Sequence, residues 1–366
     1  MATVYDIALT MTPGVGSTTC RKIMELCGSS EELFAMSRKQ LAELFGPHRE
    51  VAEHIASRTA LARAEEEMRF VERNGLRALF FTEADYPQRL NGEETADCPA
   101  LVYVQGSADL NMERSVSIVG TRRATPMGRD ECEALVGELV PLGPTVVSGL
   151  AYGIDTAAHT AALEHGLPTV AVLGHGLDTI YPQANRRIAT RIIESGGALM
   201  TEYPSGTAIN PRYFPARNRI IAALGDATVV VEASEKGGAL ITAAIASSYH
   251  RDVFAVPGRL NDTYSKGTNN LIATNKALLL RNADDIAYQL GWPMTGREAR
   301  QQELFTPLAP DEQRIAGLLQ KNSTLTLDEM VTLSGFALPK VASLLFNLEM
   351  QKIVRPLPGR LYQYMR

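Results

Sequence analysis

Hydrophobic positions change their spacing twice along the chain. Over residues 1–75 they recur at helical intervals, interrupted by the turns "TPGVGST", "LCGSSEE" and "LFGPHRE". Each turn supplies glycine or proline and then a polar cap, which predicts a succession of short helices. Over residues 76–291 the apolar positions gather into short continuous runs separated by helical stretches. The runs are Leu76–Phe81, Leu101–Val104, Val116–Val119, Thr145–Val147, Thr169–Leu173, Ala198–Met200, Ala227–Val231 and Val253–Val256. Such runs alternating with helices predict βαβ units, hence a parallel sheet covered on both faces. Residues 292–310 are polar and proline-bearing and read as a linker. Residues 311–366 hold three helical patterns, Asp311–Gln320, Leu327–Ser334 and Leu338–Gln351, then the extended "KIVRPLPGRLYQYM" with Pro-Gly at its turn. Three helices followed by a hairpin is the order of a winged helix. The expected architecture is α/β: an extended Rossmann-like parallel-sheet domain between an N-terminal helical domain and a C-terminal winged helix.

Composition adds little to this picture. With 366 residues, 45% hydrophobic and 21% charged, the chain has ordinary globular values. A net charge of −5 argues against coating nucleic acid with the whole surface. A phosphate feels charge only within a Debye length of about 8–10 Å, so a local basic groove stays compatible with it. Cys20, Cys27, Cys98 and Cys132 are scattered, without a CxxC spacing or a neighbouring histidine cluster. That pattern predicts neither structural zinc nor a disulfide framework. The start lacks a signal-peptide pattern, and no run reaches the ~20 apolar residues of a membrane span. A cytoplasmic, soluble protein without membrane contact and without a cofactor is expected.

Candidate chemistry concentrates at glycine turns. "SVSIVGTRRATPMGRDE" places Gly120 and Thr121 at the end of a strand and Arg122 and Arg123 before a helix. Ser148-Gly149, Gly174 with Gly176, and Lys236-Gly237-Gly238 repeat the device after later strands. In an open α/β sheet these loops converge on one crevice at the carboxyl ends of the strands, where backbone N–H groups favour an anion. "NPRYFPARNRIIAAL" then supplies Arg212, Arg217 and Arg219, with Tyr213, Phe214 and Asn218 among them. Arginines interleaved with aromatics suit several phosphates and stacked bases better than a single nucleotide. The competing assignment pairs those arginines with Glu202, Glu232 and Asp226. At the N-terminus, Pro13-Gly14-Val15-Gly16 before Ser17-Thr18-Thr19 fits a helix-hairpin-helix (SAM-like) element holding a DNA phosphate, and fits equally a turn between packed helices.

Residues 85–272 resemble the DNA-processing protein A family (DprA, also called Smf). The resemblance is carried by "DYPQRL", "VGTRRAT", "SGLAYGIDTAAH", "VLGHGLDTIYP", "TEYP", "FPARNRIIAAL", "VVVEASEKGGALITA", "VFAVPG" and "GTNNLI". It implies a single-stranded-DNA binder without sequence preference that protects incoming strands in natural transformation and passes them to the recombinase RecA. It also implies a homodimer formed through the Rossmann-like domain. Carried onto this sequence, the implied contacts are Arg122, Arg217 to Arg219 and the base-packing Phe214, with Gly120, Thr121, Ser148 and Gly149 supplying backbone and hydroxyl groups. The chain departs from the family's usual pattern in three places. "KGGA" replaces Lys-Ser-Gly-Ser, His175 stands where cysteine is common, and Asn275 to Ala277 replace Gly-Ala.

The last helical pattern offers only Lys340 and Lys352 beside many apolar residues, unlike a major-groove reader. A helper role is expected there, by protein contact or by weak phosphate contact through Arg355 and Arg360. No nucleophile–base pair, metal cluster or Walker lysine is present in the pattern, so a non-enzymatic binder is expected. The alternative is a phosphoribohydrolase of the lysine-decarboxylase-like group, with Glu232 near Gly237 and Gly238.

Overall fold

The computed structural model describes residues 1–46, 49–293, 309–322, 324–350, 353–357 and 361–364. Of the expected linker 292–310, residues 294–308 lie outside the described residues. The chain opens with α1 (Val4–Met11), α2 (Ser17–Cys27), α3 (Ser30–Ala35), α4 (Arg38–Phe45), α5 (Arg49–Ser57) and α6 (Thr59–Arg73). There follow β1 (Arg77–Phe80), β2 (Leu101–Gly106), β3 (Ser115–Val119), α7 (Pro126–Leu139), β4 (Thr145–Ser148), α8 (Ile154–Glu164), β5 (Thr169–Leu173) and α9 (Arg186–Glu194). The sheet is completed by β6 (Ala198–Thr201), α10 (Tyr213–Leu224), β7 (Ala227–Val230), α11 (Gly238–Ser248), β8 (Asp252–Ala255), α12 (Lys266–Ala273), β9 (Leu278–Leu279) and α13 (Ala283–Gln289).

These strands form one sheet in the order β1-β2-β6-β5-β4-β3-β7-β8-β9. Strands β3 to β9 pair in parallel, while β1 and β2 add an antiparallel edge. Every residue of β3, β4, β5 and β7 is buried, because helices cover both faces. That is why these strands read as continuous apolar runs rather than alternating ones. Among their hydroxyls, Ser117 donates to Ile221 O at 2.6 Å and Thr169 to Val146 O at 2.8 Å. The exposed two-residue β9 is too short to give such a run, and sequence reading misses it.

Chain order doubles back at the middle of the sheet. From β3 the chain moves outward through β4, β5 and β6, then returns to place β7 on the other side of β3. Helix α7 leaves β3 towards one face, in a core with α8 and α13, whereas α11 leaves β7 towards the other, in a core with α10. A crevice opens at such a switch point. Helix α7 starts where it does because Thr125 caps it, accepting from Gly128 N at 3.0 Å, with Pro126 at the first helical position.

The boundary expected at 75/76 falls between α6 and β1, yet both sides share one core. Ile7, Leu9, Leu33 and Ile55 of the helices are buried with Ala78, Phe80, Leu101 and Tyr103 of the sheet. Residues 1–294 accordingly form one compact unit and residues 295–366 another. The second unit contains α14 (Pro310–Lys321), β10 (Leu325–Thr326), α15 (Leu327–Ser334), α16 (Leu338–Met350), β11 (Val354–Leu357) and β12 (Leu361–Tyr364). Its own core joins Ile315, Leu319, Met330, Val341, Leu345 and Val354, and β10, β12 and β11 form a small sheet, which together make a winged helix. No single helix among the described residues is long and apolar enough to cross a membrane.

Candidate nucleic-acid interface

The switch-point crevice has a volume of about 230 Å³ and is walled by the loop after β3, the start of α10 and the start of α11. Gly120, Thr121 and Arg122 come from the first, Phe214 and Asn218 from the second, Gly237 and Gly238 from the third. A smaller recess beside it joins Gly149, Tyr152, Gly174 and Tyr181 to the same Arg122 and Phe214. The exposed Arg122 guanidinium lies over the Phe214 ring, 5.4 Å from its centroid. No ion pair among the described residues engages Arg122, Arg123, Arg212 or Lys236, all of them exposed. An unneutralised guanidinium, Arg122, beside an aromatic ring and glycine-lined backbone suits a phosphodiester strand with unstacked bases.

Three of the expected contacts, Arg219, Ser148 and Lys236, take other places, and a fourth, Arg217, lines the crevice from below as a buried side chain. Arg217 and Arg219 lie within α10, not before it, and two residues of helix turn a side chain by about 200°. They therefore cannot face the crevice together. Arg217 points into the protein at 3% exposure, donating to Gly149 O at 2.6 Å and to Val172 O. Arg219 forms a two-pronged pair with Glu202, at 2.5 and 2.6 Å, and also donates to Asp97 O. Its charge is spent inside the protein, as the competing assignment anticipates for Glu202. Asp226, in contrast, is paired with Arg89 at 2.7 Å. Ser148 is fully buried and donates to Ile118 O at 2.6 Å, so its hydroxyl is withheld from any ligand. Lys236 stands outside the crevice, on a shallow groove along α11. Its neighbours Gly237 and Gly238 remain in the wall.

Arg217 shapes the site from beneath. It fixes the carbonyl of Gly149, and an added Cβ at Gly149 would fall inside its guanidinium. The next carbonyls are held as well: Asn185 donates to Leu150 O at 2.8 Å and Thr156 to Ala151 O at 2.7 Å. Leu150 is thereby kept at φ +56°, in the left-handed region that non-glycine residues seldom occupy. Burial lowers the Arg217 guanidinium to about 10, with Asp155 favouring its charge and Arg122 opposing it. Burial raises the Asp155 carboxyl, and Arg217 opposes that rise. His159, also fully buried, is pushed by burial down to about 3, and the Arg217 charge acts in the same direction. Asp155, Asn185 and His159 escape sequence reading as parts of the site because each acts through a contact distant in the chain.

The other expectations resolve as follows. His175 is buried and satisfied, its Nδ1 2.9 Å from Gly176 O and its Nε2 accepting from Tyr181 N at 3.2 Å. Glu232 accepts from both Thr125 N and Thr125 Oγ1, at 2.9 and 2.6 Å, and lines a separate cavity beside Arg259 rather than the crevice of Gly237 and Gly238. Glu232 and the Gly237–Gly238 pair, which the phosphoribohydrolase alternative sets side by side, thus line different cavities among the described residues. The N-terminal hairpin lines a cleft of about 610 Å³ against Leu101 of β2 and Glu202, which follows β6. In the winged helix, Lys340 is paired with Asp311 at 2.7 Å and Arg355 donates to Gln363 at 2.6 Å. Lys352 and Arg360 lie outside the described residues. No group of three or more His, Cys, Asp or Glu side chains suited to a metal occurs among the described residues.

Comparison with known proteins assigns both parts of the chain to one family. Residues 77–291 match the family described as DNA recombination-mediator protein A, and residues 299–360 match the DprA winged helix domain. Protein Smf of Synechocystis sp. is 31% identical over 397 residues, covering 98% of each chain. The crystal structure of DNA processing protein A from Streptococcus pneumoniae superimposes with a TM-score of 0.68 at 32% identity, over 78% of this chain and 98% of that one. A structure addressing the single-stranded-DNA binding mode of the Helicobacter pylori protein gives 0.52 at 30% identity, over 59% and 95%. With residues 77–291 and 299–360 matched and a relative aligned over 98% of the chain, the chain belongs to the DprA/Smf family of DNA processing proteins.

Proposed function

We propose that the switch-point crevice binds single-stranded DNA without sequence preference, as the first step in handing that strand to a RecA-type recombinase during recombination and natural transformation. The observation that carries the reading is Arg122, exposed, without a counter-ion among the described residues, and lying across Phe214 at the crevice mouth. A guanidinium there grips phosphate while the ring beside it takes a base, and neither group reads base identity. Arg212 at the start of α10 and Arg123 beyond Arg122 add positive charge without ion partners. Membership of a family described as recombination mediators supports the step to a recombinase. Its Helicobacter pylori member, studied for single-strand binding, supports the choice of ligand. Homodimer formation is supported by the unpaired edge of β9, where Leu278 and Leu279 are 43% and 44% exposed.

The test is a pair of titrations of the full chain by fluorescence anisotropy, with single-stranded and duplex oligonucleotides of mixed sequence. Single strands should bind more tightly, and log affinity should fall linearly with log salt, by about 0.7 per neutralised phosphate. Equal affinity for duplex, or a flat salt response, overturns the reading.

A further inference from the structure

Two aromatic side chains from separate segments meet Phe214 or its neighbour Tyr213. Tyr203 follows β6, Tyr213 and Phe214 open α10, and Tyr181 follows the glycine pair after β5. Tyr203 and Tyr213 are stacked, with centroids 4.4 Å apart and planes at 26°. Phe214, next in the chain, meets Tyr181 at 5.7 Å and 37°. The result is a broken row of two ring pairs carried by consecutive residues of α10: Tyr181 with Phe214, which Arg122 crosses, and Tyr203 with Tyr213. Gly174 permits it, since a Cβ there would press on Phe214 and on the backbone of Tyr213.

The row is not core. None of its four rings belongs to a hydrophobic cluster, and Tyr181 is 43% exposed. Among the described residues no hydrogen bond ties the hydroxyls of Tyr181, Tyr203 or Tyr213. The buried Tyr86 and Tyr249, by contrast, are fixed through theirs, to Pro99 O and to Asp97 respectively. At the far end, Glu202 and Pro204 flank Tyr203 and line the cleft that the N-terminal hairpin closes with Pro13, Gly16 and Ser17. The Glu202 carboxylate, which would repel a phosphate, is neutralised by the fork from Arg219.

Building on the single-strand reading of the crevice, we propose that this row is a base-stacking ledge that leads the strand from Arg122 past Tyr203 towards the cleft beneath the N-terminal helices. The binding site is then longer than the arginine crevice, and its outer part is held by ring faces, with Arg219 acting as a charge shield for Glu202. Stacking faces tolerate every base, so this extension keeps the site free of sequence preference.

Anisotropy titrations of the full chain with oligothymidylates from about 4 to about 16 nucleotides test it, across the span over which single-strand sites fill. Wild type and Tyr203→Ala should bind the shortest strands alike. On the longer strands Tyr203→Ala should fall behind by roughly fivefold to a hundredfold, the effect of one lost stacking contact. Tyr203→Phe should restore the difference, and Tyr203→Leu, which keeps apolar bulk without a ring face, should not. Thermal melting checks that each variant is folded, and Tyr181→Ala, on the exposed end of the row, serves as a second probe should Tyr203→Ala fail to fold. Equal loss at every length would make the row mere support for Phe214 and overturn the ledge, as would unchanged binding at every length. If wild type itself binds no single strand, the crevice reading falls and the ledge with it; a length-independent result sinks the ledge alone.

Discussion

Replacing Arg122 by alanine separates a ligand-facing arginine from a structural one. Arg122 is exposed, enters no ion pair among the described residues and lies over the face of Phe214, while its charge favours ionised Asp155 and opposes that of Arg217 at longer range. Removing it strands no buried group, so stability should change by no more than about 0.5 kcal/mol. The cation–π contact exists before and after binding and largely cancels from the difference. What is lost is a charge-assisted hydrogen bond to phosphate, about 1.5–3 kcal/mol. Single-strand affinity should therefore drop roughly tenfold to a hundredfold, with the log–log salt slope shallower by about 0.7. Arg122→Lys should recover part of the loss, because an ammonium keeps the charge without the planar fork. Arg217→Ala is the contrasting case. It leaves Gly149 O and Val172 O without their donor and Asp155 buried without its cation, so it should destabilise the fold by about 3–5 kcal/mol. Anisotropy gives the affinities and thermal melting the stabilities. An Arg122→Ala protein that melts and binds like wild type would refute the assignment of the crevice to DNA.

Other perturbations test other parts of the structure. Arg219→Ala should lower melting temperature, because Glu202 loses both its hydrogen-bond donors, and should weaken long oligonucleotides more than short ones. Deleting residues 295–366 should leave single-strand affinity within about twofold, since the crevice lies wholly in the other compact unit; a loss beyond about tenfold would move the site. Acidification should destabilise the protein through His159, whose folded-state value near 3 lies below its ordinary 6.5. The unfolded chain binds the extra proton between those values, so stability falls as pH drops, by about 2 kcal/mol from this group between pH 7 and pH 5. Melting curves of His159→Gln across that range should be correspondingly flatter than those of wild type.

Short-range patterns in the sequence determine much of this protein. Strands buried on both faces must be apolar throughout, so β3, β4, β5 and β7 are legible as runs, and glycine turns after them mark the carboxyl edge. Gly120, Thr121, Arg122, Gly237 and Gly238 could be assigned to one crevice on that basis, Phe214 and Asn218 through the arginine–aromatic string and the family resemblance, and the structure brings them together there. The shared core of the N-terminal helices with β1 and β2 was not legible, because packing between elements distant in sequence leaves no local period. Nor were the fates of the arginines. A run such as "RYFPARNR" records charge but not direction, and only the start of α10 at Tyr213 decides that Arg217 turns inward and Arg219 away. Their partners, Gly149 and Glu202, lie 68 and 17 residues off along the chain. The aromatic row depends likewise on three separate segments meeting. Local burial writes itself into sequence because each residue on a strand or helix obeys it; a contact between distant side chains obeys only the fold that brings them together.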